Sequence, residues 1–250
     1  MFLNLRFKSG HGAKPLVQVT IIRLIGYREW TETLGSDREH VIQGIQAQLH
    51  RELVNGFSKV NAWAHPLRYD YLFAITNGVN REGLMSVIKD LGEYSPVPLS
   101  SGTYASDNPR IAEKEAFKLA MKAGPWGSLI GGVDDGLVAM AHIDLVDSTS
   151  STEWTSSYQL YEHVWNVINQ VRLYLAPYGG ITLYLGGDNM ISIVTPTIRE
   201  EDLRPLSELI NARVGVGIAS NGRTAMKLAT EALDSLRQQG KYGVLMLMER

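Results

Sequence analysis

Two aspartates in apolar surroundings offer chemistry first. Asp144 closes the run Ala141-His142-Ile143-Asp144-Leu145, and Asp188 stands in Gly186-Gly187-Asp188-Asn189 between flanks rich in Leu, Ile, Val and Tyr. Gly-Gly-Asp-Asn supplies the positive φ that a short hairpin demands, so this stretch reads strand, tight turn, strand. Such a tip brings backbone close to a phosphate and leaves a carboxylate ready for a metal. Alternation along the earlier strand places His142 and Asp144 on one face. If that strand lies beside the hairpin, Asp144 and Asp188 together offer oxygen ligands to a divalent cation such as Mg2+. Each residue also has a structural reading. Gly, Asp and Asn are good turn formers, and a histidine in a strand is often simply packed or hydrogen-bonded. A solvated Asp144 fits the apolar run poorly, because an unpaired carboxylate is costly there.

Arg110 and Arg223 each follow a strand and begin a helix. A helix N-terminus attracts anions, and a guanidinium adds bidentate phosphate recognition, although many such arginines are merely solvated. Arg237 and Lys241, near the end of the last helix, are weaker candidates for the same work.

These residues need a frame. Leu16 to Ile25 reads as a buried strand, followed by a loop through Gly26, Tyr27 and Trp30. Ser36 and Glu39 have capping-box spacing, and helical periodicity then covers Asp37 to about Asn55. Strands follow at Lys59 to Ala64 and Tyr71 to Thr76, a helix at Arg81 to Leu91, a strand at Val97 to Tyr104 and a helix from Pro109 to Lys122. The glycine-rich stretch Ala123 to Asp135 reads as a linker. Beyond it the order recurs. Leu137 to Leu145, the hairpin Ile181 to Thr195, Arg213 to Ala219 and Lys241 to Met248 read as strands. Ser157 to Ala176, Glu200 to Asn211 and Arg223 to Gln239 read as helices.

The fold class expected is therefore α+β, with two tandem ferredoxin-like βαββαβ domains related by duplication. Asp70 and Asp188 are 118 residues apart, and Arg110 and Arg223 are 113 apart, which gives the duplication a consistent period. The boundaries are a first domain at 15–123, a linker at 124–135, and a second domain at 136–250 that carries the chemistry. The first half lacks half of the arrangement. Asp70 remains at its hairpin tip, but Arg23 stands where Asp144 should be.

Composition excludes several functions. At 250 residues, 44% hydrophobic and 20% charged, the chain has ample material for two cores. Its net charge of −2 gives no electrostatic support for a nucleic-acid partner. With no cysteine there is neither a disulfide, a thiolate metal site nor a thiol nucleophile. Met1 to Lys14 lacks the apolar core of a secretory signal, and no apolar run is long enough to span a bilayer. The expectation is a cytoplasmic protein with no membrane partner.

A βαββαβ domain with an acid ending its first strand and a Gly-Gly-acid hairpin resembles the palm of nucleotidyl cyclases, especially GGDEF-type diguanylate cyclases. Asn189 and Met190 replace the acid and aromatic found there. From Val17 onward the chain more closely resembles the archaeal GTP cyclohydrolase III family, which is similar to two such palms in tandem. Gln18-Val19-Thr20-Ile21-Ile22, Tyr27, Trp30 and Tyr71-Leu72-Phe73-Ala74-Ile75-Thr76-Asn77-Gly78 carry the likeness in the first half. Ala141-His142-Ile143-Asp144, Gly186-Gly187-Asp188-Asn189, Gly215-Val216-Gly217-Ile218 and Arg223-Thr224-Ala225 carry it in the second.

The resemblance implies an enzyme that adds water at C8 of GTP and opens the imidazole ring. The product implied is the formylamino-pyrimidine ribosyl monophosphate, with two phosphates released, feeding riboflavin and deazaflavin synthesis. It further implies Mg2+ and stimulation by a monovalent cation such as K+; a homo-oligomer is expected as well. The site it implies has Asp144 and Asp188 as catalytic metal ligands; attack at C8 also needs a proton shuttle, for which His142 is the candidate. Gly186, Gly187, Asn189, Arg223, Arg110 and Tyr27 would contact substrate. Two alternatives use the same palm: a nucleotidyl cyclase-like enzyme and a non-catalytic GTP-binding sensor.

Overall fold

The computed structural model of the chain describes residues 16–131, 136–146 and 156–249. The leader reading of Met1 to Lys14, the domain start at 15, linker residues 132–135 and Asp147 lie outside the described residues.

Strand β1 (Val17–Leu24) is β-branched and buried along nearly its whole length, which a central strand requires. It lies antiparallel between β3 (Tyr71–Ile75) and β4 (Leu99–Ser106). The edges are β2 (Trp63–Pro66) and β5 (Ser128–Ile130), so the order is β2-β3-β1-β4-β5. The helices of this half are α1 (Tyr27–Thr33), α2 (Glu39–Lys59), α3 (Arg81–Gly92) and α4 (Pro109–Lys122).

The second half repeats the plan. Its elements are β6 (Val138–Leu145), α5 (Ser157–Tyr174), β7 (Ile181–Gly186), β8 (Asn189–Val194), α6 (Glu200–Leu209), β9 (Ala212–Ala219), α7 (Gly222–Gln238) and β10 (Gly243–Met248). Its sheet order, β10-β9-β6-β8-β7, is the same arrangement. The fold is the expected duplicated α+β architecture, with a fifth strand added to each sheet beside the fourth.

Three expected stretches differ. The strand expected from Lys59 starts later: α2 runs on to Lys59, its apolar period carried by the buried Leu49, Leu53 and Phe57, and after a turn at 60–62 the strand begins at Trp63. The loop expected after Gly26 is helix α1, too short for its period to be read. The linker expected at 124–135 contains β5, which pairs in parallel with β4 over Ser128 to Ile130, so the first sheet reaches past residue 123.

Each sheet has one face covered by its own helices. In the first half Ile22, Leu24, Leu72 and Ala74 meet α2 and α3, and in the second Ala139, Ala141 and Ile143 meet α5 and α6. The opposite faces meet each other in a shared core. Val17, Val19, Ile21, Phe73 and Ile75 join Val138, Met140, Ile191 and Ile193 there, with α4 and α7 contributing alanines.

Glycines in each half fix how closely α4 and α7 lie on the sheet. A Cβ on Gly102 would strike the Ala116 carbonyl and Ala120 amide, and one on Gly215 would strike the Ala229 carbonyl and Leu233 amide. These three pairs share the 113-residue offset that relates Arg110 to Arg223. Asn108 and Asn221, at the same offset, cap α4 and α7 with their side-chain oxygens.

Candidate active site

The hairpin β7–β8 turns as expected. Gly186 and Gly187 have φ of 125° and 58°. Neither would meet a neighbour through a Cβ, so the backbone conformation itself requires glycine. The register breaks between Tyr184 and Gly186, a bulge that lets the tip tilt away from the ladder. Tyr184 donates its hydroxyl to the Gly187 carbonyl at 3.2 Å.

Central strand β6 places His142 and Asp144 beside this tip. Asp144 pairs in register with Asn189 on one side and with Arg213 on the other. His142 Nε2 lies 3.0 Å from Asn189 Oδ1 and Nδ1 lies 3.3 Å from Thr230 Oγ1 on α7. Asn189 Nδ2 in turn donates to Asp188 Oδ1 at 2.8 Å. Burial lowers the His142 pKa from its ordinary value, against the opposing effect of the Asn189 contact. The ring is therefore neutral near pH 7. Asn189 Oδ1 can only accept, so Nε2 carries the proton, while Nδ1 faces the Thr230 hydroxyl, which it shares with the Met226 carbonyl at 3.1 Å. The chain Thr230–His142–Asn189–Asp188 fixes the orientation of the tip carboxylate. His142 thus sits as the orienting group of that chain, with both nitrogens engaged.

Asp144 is 5% exposed and paired with cations. Arg237 grips it with a two-pronged fork, Nη2 to Oδ1 at 2.7 Å and Nε to Oδ2 at 3.2 Å. Arg213 adds a contact from Nη1 to Oδ2 at 3.4 Å. The hydrogen bond to Asp144 raises the Arg237 pKa above its ordinary value. Arg213 went unnoticed in the sequence because its partner is 69 residues away and only strand register joins them. Arg237 was noticed, but as a helix-end residue.

A divalent ion does not fit this donor set as it stands. Both Asp144 oxygens face guanidinium groups, and Asp188 Oδ1 accepts from Asn189. Among the described residues no group of three or more His, Cys, Asp or Glu side chains is arranged to hold a metal.

The other candidates lie elsewhere. Arg223 follows β9, whose end pairs with the start of β6. That is six residues along the strand from Asp144, about 20 Å away. Its Nη1 donates to the Ser58 carbonyl at 2.7 Å and its amide to the Asn61 carbonyl at 3.2 Å, both in the first half. Arg110 does the reciprocal work, donating from Nε to the Gly180 carbonyl at 2.8 Å in the second half. The two arginines are clasps between the halves. Tyr27 belongs to the first hairpin end, where its hydroxyl accepts from Gln46 Nε2 at 3.0 Å. Burial, chiefly, raises its pKa, and the nearby Asp70 adds to the shift.

Fold and site together define a duplicated palm-like protein. It carries one polar hairpin site, in its second half, braced by a buried aspartate–arginine cluster. The family profile described as GTP cyclohydrolase III matches residues 19–250, and the chain belongs to that family. It is 34% identical over 227 residues to GTP cyclohydrolase III of Pyrobaculum islandicum, covering 90% of this chain and 97% of that one. With GTP cyclohydrolase III of Saccharolobus islandicus it shares 32% over 222 residues, covering 88% and 95%. Among solved structures, it is similar to the GGDEF domain of DgcB from Caulobacter crescentus, with TM-score 0.39 and 15% identity over 44% of this chain and 77% of that one. A class III adenylyl cyclase-like ATP-binding protein from Pseudomonas aeruginosa gives TM-score 0.39 and 10% identity over 94% and 83%. Scores this low carry no argument about the site.

Proposed function

We propose that the protein is a GTP cyclohydrolase that adds water at C8 of the guanine base and opens the imidazole ring. The product is the formylamino-pyrimidine ribosyl monophosphate, with two phosphates released, as an early step of riboflavin and deazaflavin synthesis. One observation carries the reading: the family match extends over residues 19–250, the whole of both halves, including the intact Gly186-Gly187-Asp188-Asn189 tip.

The chain's own groups supply definite parts of such a reaction. The glycine tip lets triphosphate oxygens approach backbone amides that a side chain would screen. Arg237 and Arg213, held by Asp144, place positive charge at the strand end next to the tip. His142, through Asn189, orients the Asp188 carboxylate toward an attacking water.

A need for Mg2+, with K+ as activator, rests on the family resemblance and on the Asp188 carboxylate. The described donor set does not fit a metal, and no step is routed through one. A soluble, cytoplasmic homo-oligomer without nucleic-acid partners completes the proposal. Among the described residues no helix is long and apolar enough to cross a membrane.

The test is incubation with GTP, Mg2+ and K+, following loss of purine absorbance together with phosphate release. Both signals should move, and titration with a chelator should abolish them. An intact purine with triphosphate unchanged overturns the reading. A cyclic product with pyrophosphate selects a nucleotidyl cyclase, and saturable GTP binding without turnover selects a sensor.

A further inference from the structure

A row of exposed aromatic rings leads from α5 to the hairpin tip. Tyr158, Tyr161 and Trp165 are between 44% and 66% exposed, although Leu160, Val164, Val167 and Ile168 give the same helix a full core-facing side. Spacings of three and four residues put the three rings on one flank of α5. Each touches the next. Tyr158 and Tyr161 stack with centroids 6.1 Å apart, and Tyr161 meets Trp165 edge-on at 6.1 Å and 68°. Trp165 then lies 5.5 Å from the Tyr184 ring of β7. Tyr184 ends the row at the tip, through its hydroxyl bond to the Gly187 carbonyl. Helix α2, the counterpart in the first half, has Phe57 as its one Phe, Tyr or Trp, and that ring is buried.

After α5 the chain turns and β7 runs back along the helix. Each turn from Trp165 toward the helix start therefore moves past Tyr184 toward the tip. Tyr158 is seven residues from Trp165, about 10 Å along the axis, and Gly187 is three from Tyr184, also about 10 Å. The outer rings stand level with the glycine tip. A contiguous patch of exposed apolar rings marks a binding surface, and its neighbour narrows the occupant. The tip amides and the guanidinium groups on Asp144 suit phosphate but offer a purine ring no flat surface. Tyr161 and Trp165 offer one without charge. We propose, resting on the cyclohydrolase reading for a triphosphate at the tip, that the purine ring of the substrate stacks on Tyr161 and Trp165. The hairpin then holds the phosphates and α5 holds the base, both from the second half.

Inorganic tripolyphosphate, which has no base, provides the test. Tyr161→Leu and Trp165→Leu should each raise KM for GTP about tenfold, the scale of one lost stacking contact, and leave inhibition by tripolyphosphate within about twofold. Tyr161→Phe and Trp165→Phe keep a flat ring and should stay within about threefold of the parent for both. Tyr242→Leu removes an exposed ring outside the row and should change neither. If the Leu variants weaken tripolyphosphate as much as GTP, the rings hold the hairpin and not the base, and the proposal falls. If they change neither, or if Tyr242→Leu has the larger effect on GTP, the base lies elsewhere and the proposal also falls. Sedimentation measured beside the kinetics exposes a subunit contact: a rise in KM that comes only with a change of oligomeric state overturns the stacking. Should the parent bind GTP but leave it intact, the cyclohydrolase reading fails instead. Equilibrium dialysis of the same variants with GTP and with tripolyphosphate then decides the stacking by the same outcomes, and a parent that binds no GTP overturns both.

Discussion

The two halves share a backbone and differ in what fills one place on it. In the second half the strand face beside α7 carries His142 and Asp144, opposed in register by Ile191 and Asn189. At the matching positions of the first half stand Ile21 and Arg23, opposed by Phe73 and Tyr71. The helix above differs in the same sense. Thr230, which meets His142, corresponds by the 113-residue offset to Phe117. Phe117 packs against Tyr71 with the rings tilted at 48° and their centroids 5.3 Å apart, and the Tyr71 hydroxyl reaches Met121 Sδ at 3.6 Å. An aromatic and thioether cluster therefore occupies the first half where a polar chain occupies the second. Duplication preserved what packs the helix on the sheet, Gly102 and Gly215 with their alanines. It did not keep His142, Asp144 and Thr230 in the first copy, which has Ile21, Arg23 and Phe117 there.

The strongest way to break this comparison is to strike the same acid in both halves. Asp188→Asn should lower kcat/KM for GTP by about 100-fold or more, the scale seen when a group aimed at reacting charge is lost. Asp70→Asn should leave it within about threefold. Equal losses from the two would mean that both hairpins act. Next in size is Asp144→Ala, which strands Arg237 and Arg213. Breaking a fully buried pair costs about 3–5 kcal/mol. Because the Arg237 side chain is 40% exposed, water recovers part of this, and about 2 kcal/mol is expected in a denaturant melt. Arg23→Ala, at the equivalent place, should cost under about 0.5 kcal/mol.

Much of this contrast was legible from residue order. The recurring acids and arginines gave the duplication, and position along the first strand of each half set Arg23 against Asp144, which the strand registers bear out. Side-chain destinations were not legible where they depend on how the halves dock. Arg110 and Arg223 have the spacing of anion-binding helix starts, yet their helices begin at the sheet ends remote from Asp144, against carbonyls of the opposite half. Asp144 and Arg237 meet across 93 residues, a distance no local pattern spans. Strand β5 escaped because three residues pairing with a distant edge leave no periodicity of their own.

A smaller effect sharpens the comparison from the helix side. Thr230→Phe imports the first half's residue and removes the hydroxyl from His142. It should lower kcat/KM about tenfold with little change in melting temperature, since His142 orients the tip through Asn189 rather than holding the core. Phe117→Thr, the reverse exchange, should leave kcat/KM unchanged. Its stability cost should be about 1 kcal/mol, because Phe117 is 36% exposed and only part of the ring loses packing.

The smallest expected effect is one of pH, and two of the three buried histidines behind it, His50 and His65 but not His142, belong to the first half. Burial lowers the pKa of His50 and of His65 below the ordinary 6.5, and each ring also faces the other. A histidine with a lowered folded pKa resists protonation in the native chain while the unfolded chain takes the proton freely. Stability is then fully present above pH 6.5 and is lost as pH falls from there toward the folded values. Melting curves between pH 8 and pH 5 should show a plateau followed by a decline that begins near 6.5. In His50→Gln the decline should be shallower, because one of the two buried proton acceptors is gone and the Coulombic penalty on His65 goes with it. An equally steep decline in that variant would move the acid-labile element out of the first half, to the His142 chain beside the hairpin.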